Sequence, residues 1–240
     1  MTVEWVAAAL VIAIANFILG LLGFGNGLVA MALLPFLMSP VAAIAVLTIY
    51  TIVFSLAIFV PLRHHVSPVP VLDMLAGTVL GVPIGVWILT VLPIATLKRL
   101  IGGTLLVVVL LEWARLSPTR LAGRTWSVGA GVLAGVAGAA VGTPGPPVIM
   151  YCAAQGWSPR TIKANLQAFF VVNQIAILAA YWWAGVLDGE VWRLAASFAL
   201  PGAAGTALGM LLFDRVDPGR FRQLVFGMLL VAGLSLLVLG

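Results

Sequence analysis

The residues of this chain best suited to chemistry are neutral: Asn26 and Thr143, each set in a run of glycines, and Thr48, Thr51, Gln167 and Gln174 on the segments that follow. Asn26 lies in Gly20-Leu-Leu-Gly-Phe-Gly-Asn-Gly27 and Thr143 in Gly135-Val-Ala-Gly-Ala-Ala-Val-Gly-Thr-Pro-Gly-Pro-Pro147. Amide and hydroxyl side chains donate hydrogen bonds without titrating, so the set suits binding rather than bond-making. An enzyme is not expected. Hydrolysis inside apolar segments needs a Ser–His pair, two aspartates or a zinc set, and no His or Asp lies deep in an apolar run. His64 and His65 are adjacent in a loop and point in different directions, and the single Cys152 excludes an internal disulfide. No metal or other cofactor is implied.

The segments that must position these residues are built for lipid. Of 240 residues, 63% are hydrophobic and 8% charged, and the mean hydropathy is +1.20, so one soluble domain would expose large apolar patches. At about 20 residues per span, the chain has room for six to eight membrane helices and little else. The net charge of +5 comes from basic residues placed singly in short loops, which argues for membrane orientation and against nucleic acid. Apolar runs are expected at 3–22, 28–37, 41–62, 69–92, 97–114, 126–141, 147–155, 162–184, 191–212 and 221–239. The first run carries Glu4 and no leading Lys or Arg, unlike a signal peptide, and is read as retained. The short runs 28–37 and 147–155 each follow a glycine break. Helix, break and short helix together predict a hairpin that enters the membrane and returns, once per half.

Residues 1–114 and 126–240 read as two copies of one membrane repeat, joined by a polar linker over 115–125. Ser39-Pro40 recurs as Ser158-Pro159, and Ala45 as Ala164, both displaced by 119 residues. The loops decide the handedness of the duplication. Fully crossing hairpins divide the basic residues five against seven. Re-entrant hairpins place Arg63, Arg115, Arg120, Arg124, Arg160, Lys163, Arg215, Arg220 and Arg222 on one side and Lys98, Arg99 and Arg193 on the other. That nine-to-three split is the one the positive-inside rule expects. The predicted fold is therefore an all-α integral membrane protein of two inverted-topology repeats. Each repeat has a re-entrant Gly/Pro-broken helical hairpin plus three transmembrane helices, and both termini lie outside the cytoplasm.

A helix that restarts within the membrane presents free N–H groups and a positive dipole end, which together favour an oxyanion. Restarts are expected at residues 28 and 147. Gly25, Gly27, Gly142 and Gly145 would allow close backbone approach and positive φ, Pro146 and Pro147 suit a first helical turn, and Asn26 and Thr143 would add side-chain donors. The same glycines would also serve plain helix packing. Thr48, Thr51 and Ser55 share a helix face, and their counterparts at +119 are Gln167, Phe170 and Gln174. These two stripes either face a shared cavity or are satisfied by their own helices and neighbours. Asn165 and Asn173 fall at other angles, serving packing or the rim. Asp73, Glu112, Asp188, Glu190, Asp214 and Asp217 lie near predicted helix ends, with Glu112 able to pair with Arg115. Arg160 and Lys163 stand at the mouth of the second hairpin, attracting anions or orienting the helix. Trp87, Trp113, Trp182 and Trp183 fall near span ends, as interfacial anchors do.

The first glycine-broken segment with Pro35 after it, the break Gly142-Thr143-Pro144-Gly145-Pro146-Pro147 with Tyr151 after it, and the duplicated short-loop layout resemble the TauE/SafE family of sulfite and organosulfonate exporters. The resemblance spans nearly the whole chain, with the Gly-x-x-Gly-Pro-Pro string its most specific part. Asn26 departs from the family's usual first glycine run. The resemblance implies a multi-pass inner-membrane permease for small sulfur oxyanions such as sulfite, or for sulfoacetate and related organosulfonates. The expected partners are a small anion and the lipid bilayer, with a homo-oligomer compatible. The residues leave open another small anion, inward transport or coupling to a cation. The lack of a carboxylate at depth favours transport driven by the membrane potential.

Overall fold

The computed structural model describes residues 3–114, 123–213 and 218–239. Helices account for its regular elements. They are α1 (Val3–Leu22), α2 (Asn26–Leu33, extended by a 3-10 turn over Leu34–Phe36), α3 (Pro40–Leu62), α4 (Pro68–Val91) and α5 (Ile94–Trp113). After residue 123 come α6 (Arg124–Val141), α7 (Gly145–Ala154), α8 (Pro159–Trp183), α9 (Gly189–Ser197), α10 (Ala199–Leu212) and α11 (Pro218–Leu239). The linker residues 115–122, with Arg115 and Arg120, and the 214–217 segment, with Asp214, Arg215 and Asp217, lie outside the described residues, as do the side chains of Glu112, Arg220 and Arg222.

Three of the long helices start in the same way. Ser39-Pro40, Ser67-Pro68 and Ser158-Pro159 place serine at the N-cap and proline in the first turn of α3, α4 and α8. Proline lacks the N–H that this turn leaves unpaired, and its fixed φ suits a helix start. Ser158 also accepts a hydrogen bond from the Thr161 N–H at 3.2 Å.

Among the described residues, five helices are long and apolar enough to cross a membrane, and six if α9 and α10 count as one bent span. That bend, 49°, corrects the continuous run expected over 191–212. Pro201 stands in the first turn of α10 and has no N–H to offer the carbonyl of Ser197, the residue at which α9 ends. The exterior is apolar: Val79, Leu80, Leu200, Leu211 and Val238 are exposed, as are Trp87, Trp113, Trp182 and Trp183.

The two parts of the chain are interleaved. Helix α1 packs on α10 and α4 on α6, while α3 packs on α8 and α5 on α11. Small residues line these seams. A methyl group at Gly81 would run into the Val132 carbonyl, and one at Gly209 into the Phe17 carbonyl. Such close approach lets dispersion contacts and Cα–H···O contacts hold helices that gain nothing from the hydrophobic effect in lipid.

Both short helices follow a sharp turn of the chain. A Cβ built on Gly25 would lie 3.3 Å from the Ile18 side chain, and one on Gly138 3.0 Å from Pro144 Cβ. Residue 25 therefore sits beside residue 18, whereas seven residues of straight helix would span about 10 Å. Residues 25 and 144 are themselves 119 apart. The restarts come at Asn26 and Gly145, two residues earlier than the expected 28 and 147.

Candidate functional site

The two breaks meet. A Cβ on Gly27 would be driven into the Gly142 carbonyl, so these backbones touch where α2 begins and α6 ends. Beside this contact lies a small, partly open cavity lined by Gly25, Asn26, Gly27, Leu28, Thr51, Thr143, Pro144, Gly145, Pro146 and Phe170. Six of the ten residues expected from sequence line it: Gly25, Asn26, Gly27, Thr51, Thr143 and Gly145. Gly142 abuts it through Gly27. Thr48, Gln167 and Gln174 lie outside that lining.

The four glycines do different work. Gly25 (φ 94°) and Gly142 (φ 72°) take the left-handed conformation, which L side chains adopt only with strain. Gly27 is required by its contact with Gly142. Gly145 is required by neither condition, since a Cβ there would come no nearer than 3.7 Å to its neighbours. Gly23, which sequence reasoning passed over, is the true counterpart of Gly142: it stands 119 residues earlier, ends α1, and has φ 83°.

The donors are unevenly shared. Helix α2 begins with Asn26, Gly27 and Leu28, whose backbone N–H groups have no partner within the helix; the first bond of its ladder is Val29 N–H to the Gly25 carbonyl, at 3.1 Å. Helix α7 begins Gly145-Pro146-Pro147, so among these three only Gly145 has an N–H. The Gly142 and Thr143 N–H groups are spent on the Gly138 and Ala137 carbonyls, each at 3.1 Å. Any cradle for an anion is thus formed mainly by the start of α2.

Among the polar side chains, Asn26 Nδ2 donates to Thr51 Oγ1 at 2.8 Å, and the Thr51 hydroxyl donates to the Leu47 carbonyl at 2.8 Å. Thr48 likewise bonds back to Ile44, at 2.9 Å. For Thr48 the packing alternative describes the structure, and for Thr51 both alternatives hold. Gln174 accepts from Asn173 Nδ2 at 3.2 Å, and Asn165 accepts the Ser67 N–H at 2.7 Å, pinning the start of α4. Thr143 is 2% exposed and its hydroxyl has no partner within the protein. It is the one lining side chain with an unused buried donor among the described residues.

The sequence reading gives Lys163 an anion-attracting or helix-orienting role but does not foresee its burial. Instead of standing at a mouth, it is 5% exposed, the one buried charged side chain among the described residues. Its Nζ donates to the Gly20 carbonyl at 2.8 Å and the Leu21 carbonyl at 3.4 Å, and lies 3.8 Å from the centre of the Phe213 ring. One turn along α8, Gln167 Nε2 donates to the Gly23 carbonyl at 2.6 Å. Phe170 is read from sequence only as the counterpart of Thr51 and Asn16 not at all, and Asn16 is wholly buried in α1 with Nδ2 on the Ile12 carbonyl at 2.9 Å. Asp73 is held outside the cavity, in an ion pair with Arg124 at 3.0 Å. Among the described residues, no three His, Cys, Asp or Glu side chains are grouped as a metal site.

An apolar helical bundle with a small neutral cavity between two helix breaks defines a multi-pass membrane protein with the anatomy of a transporter. The comparisons name its family. Residues 8–236 match the model of the sulfite exporter TauE/SafE family, and the chain belongs to that family of membrane transporters. It is 30% identical over 224 residues to a protein of Cupriavidus necator described as a probable sulfite/organosulfonate exporter TauE, covering 90% of this chain and 87% of that relative. No solved structure matches it.

Proposed function

We propose that this protein exports a small sulfur oxyanion, sulfite or a related organosulfonate, across the inner membrane through the cavity between the starts of α2 and α7. The observation that carries this reading is the junction itself. Two helix starts border a cavity lined by the first residues of α2, whose N–H groups have no partner within that helix, by the unpartnered Thr143 hydroxyl and by no carboxylate. Backbone N–H groups and a hydroxyl match the acceptor oxygens of an oxyanion, and the dipole of α2 adds to the attraction. The relative's described substrates fit the same chemistry.

The Thr143 hydroxyl offers a clean test because it contributes no bond to the fold. Thr143→Val keeps the shape and removes a buried group that is unsatisfied without substrate. Its thermal midpoint is expected to match or exceed wild type, while the half-saturation concentration for sulfite in proteoliposomes rises about ten-fold. Asn26→Ala should weaken binding similarly and also lower stability, because it breaks the bond to Thr51. Unchanged half-saturation in both folded variants would remove the cavity from the transport path.

The reading includes the inverted repeat with two re-entrant hairpins. It is supported by the sharp turns at residues 25 and 144, by the recurring element order and by the charge split. Cysteines introduced as His64→Cys and Gly189→Cys on a Cys152→Ala background separate the two topologies. In the inverted arrangement an impermeant maleimide labels position 189 from outside intact cells and spares position 64. If both positions label from the same side, the repeats are parallel and the hairpins cross fully.

A further inference from the structure

We infer that Lys163 is a positioning residue for the anion site, and that it holds one half of the site and not the other. The inference rests on the anion-site reading above and identifies which residue fixes the donors that reading uses. Lys163 and Gln167 are four residues apart and so share a face of α8. Together they donate to the carbonyls of Gly20, Leu21 and Gly23. These oxygens belong to the last turn of α1 and the break after it, where a helix has no internal partners to offer and carries its negative dipole end. An ammonium and an amide on that end neutralise it and fix its position. The stem of Lys163 packs there too, since a Cβ on Gly23 would lie 2.8 Å from Lys163 Cγ.

Two residues beyond Gly23 the chain enters the cavity lining at Gly25, and α2 then presents the N–H groups of Asn26, Gly27 and Leu28. The strap from α8 therefore sets where those donors point. The second break has no equivalent. At the positions 119 residues earlier than Lys163 and Gln167 stand Ile44 and Thr48. Ile44 Cγ1 lies 3.3 Å from the Cβ position of Gly142, the counterpart of the Lys163 contact, yet it offers no donor. Thr48 turns its hydroxyl to its own helix. The end of α6 relies instead on its own N–H groups and on the Tyr181 hydroxyl, which donates to the Ala139 carbonyl at 2.6 Å. The charged strap thus lies on the half that supplies most of the donors.

The test is sulfite transport by purified protein in liposomes, comparing wild type with Lys163→Met, Lys163→Arg and Ile44→Met, each first checked for a monodisperse folded state. Lys163→Met keeps the length of the stem and removes both bonds. Its half-saturation concentration is expected to rise about ten-fold or more, by the usual cost of a lost charge-assisted hydrogen bond, with maximal flux much less affected. Lys163→Arg still reaches the carbonyls and should recover most of the affinity, and Ile44→Met should match wild type. An unchanged half-saturation concentration in folded Lys163→Met, or a fall in maximal flux alone, overturns the positioning role. If Lys163→Met does not fold, Lys163→Gln, too short to span both carbonyls, is judged by the same criterion. Wild type that moves no sulfite or organosulfonate would instead refute the anion-site reading, so the two failures are distinguishable.

Discussion

Gly27→Ala is expected to abolish transport, whereas Gly145→Ala, in the same cavity, should leave it nearly intact. The added methyl at position 27 meets the Gly142 carbonyl oxygen well inside van der Waals contact, with the Gly142 carbonyl carbon at 3.1 Å and Thr143 Cα at 3.4 Å. None of these is a flexible side chain able to swing aside. The two breaks must separate, and with them the start of α2 and the residues Thr143 to Pro146 that together enclose the cavity. Overpacking of this kind costs about 3 kcal/mol or more when only backbone can yield. At position 145 the nearest neighbours, Phe24 and Phe170, lie at 3.7 and 3.8 Å, and the residue is helical, so a methyl group fits. Thermal midpoint and flux measured on both variants give the comparison. Wild-type flux in Gly27→Ala would mean that the breaks need not touch for transport.

That contrast also shows what the sequence could and could not reveal. The breaks were legible because glycine and proline interrupt a helix by covalent structure alone, and the Ser-Pro starts of α3 and α8 because their chemistry is local. The uneven donor count was equally present in the sequence, since Pro146 and Pro147 lack N–H groups in any fold. What was not legible depends on which surfaces meet. Nothing local to Gly145 distinguishes it from Gly27, because the difference is made by a carbonyl more than a hundred residues away. Lys163 reads as a loop-end cation from its neighbours on α8, and becomes a buried one only because the end of α1 arrives beside it. Its burial is tolerable in an apolar protein because three carbonyls of that end receive the donors of Lys163 and Gln167. Thr48 and Thr51 share a face as expected, but a stripe of hydroxyls cannot announce whether each will bond its own helix or a neighbour.

The other large effect expected is that of voltage. A cell interior at negative potential favours the exit of an anion by roughly 2.3 kcal/mol per charge per 100 mV, and a dianion such as sulfite gains twice that. This is enough to bias flux outward without a second ion. The residues agree with such a facilitator. The described carboxylates are Glu4, Asp188 and Glu190, all exposed, and Asp73, engaged by Arg124. The buried charged residue among the described residues is basic, Lys163, and as an ammonium it would favour an anion in transit. A site lined by N–H and O–H donors would bind its ligand without taking up a proton, so the proposed cycle would carry the anion's own charge and move with the field. Liposomes loaded with sulfite and potassium, diluted into low potassium with valinomycin, should therefore release sulfite many times faster than without valinomycin, at equal pH and without sodium. Reversing the potassium gradient should slow release by a comparable factor. Flux that ignores the imposed potential and follows a proton or sodium gradient would replace this mechanism with coupled transport, in which a titrating group or the protonation of bisulfite carries the balancing charge.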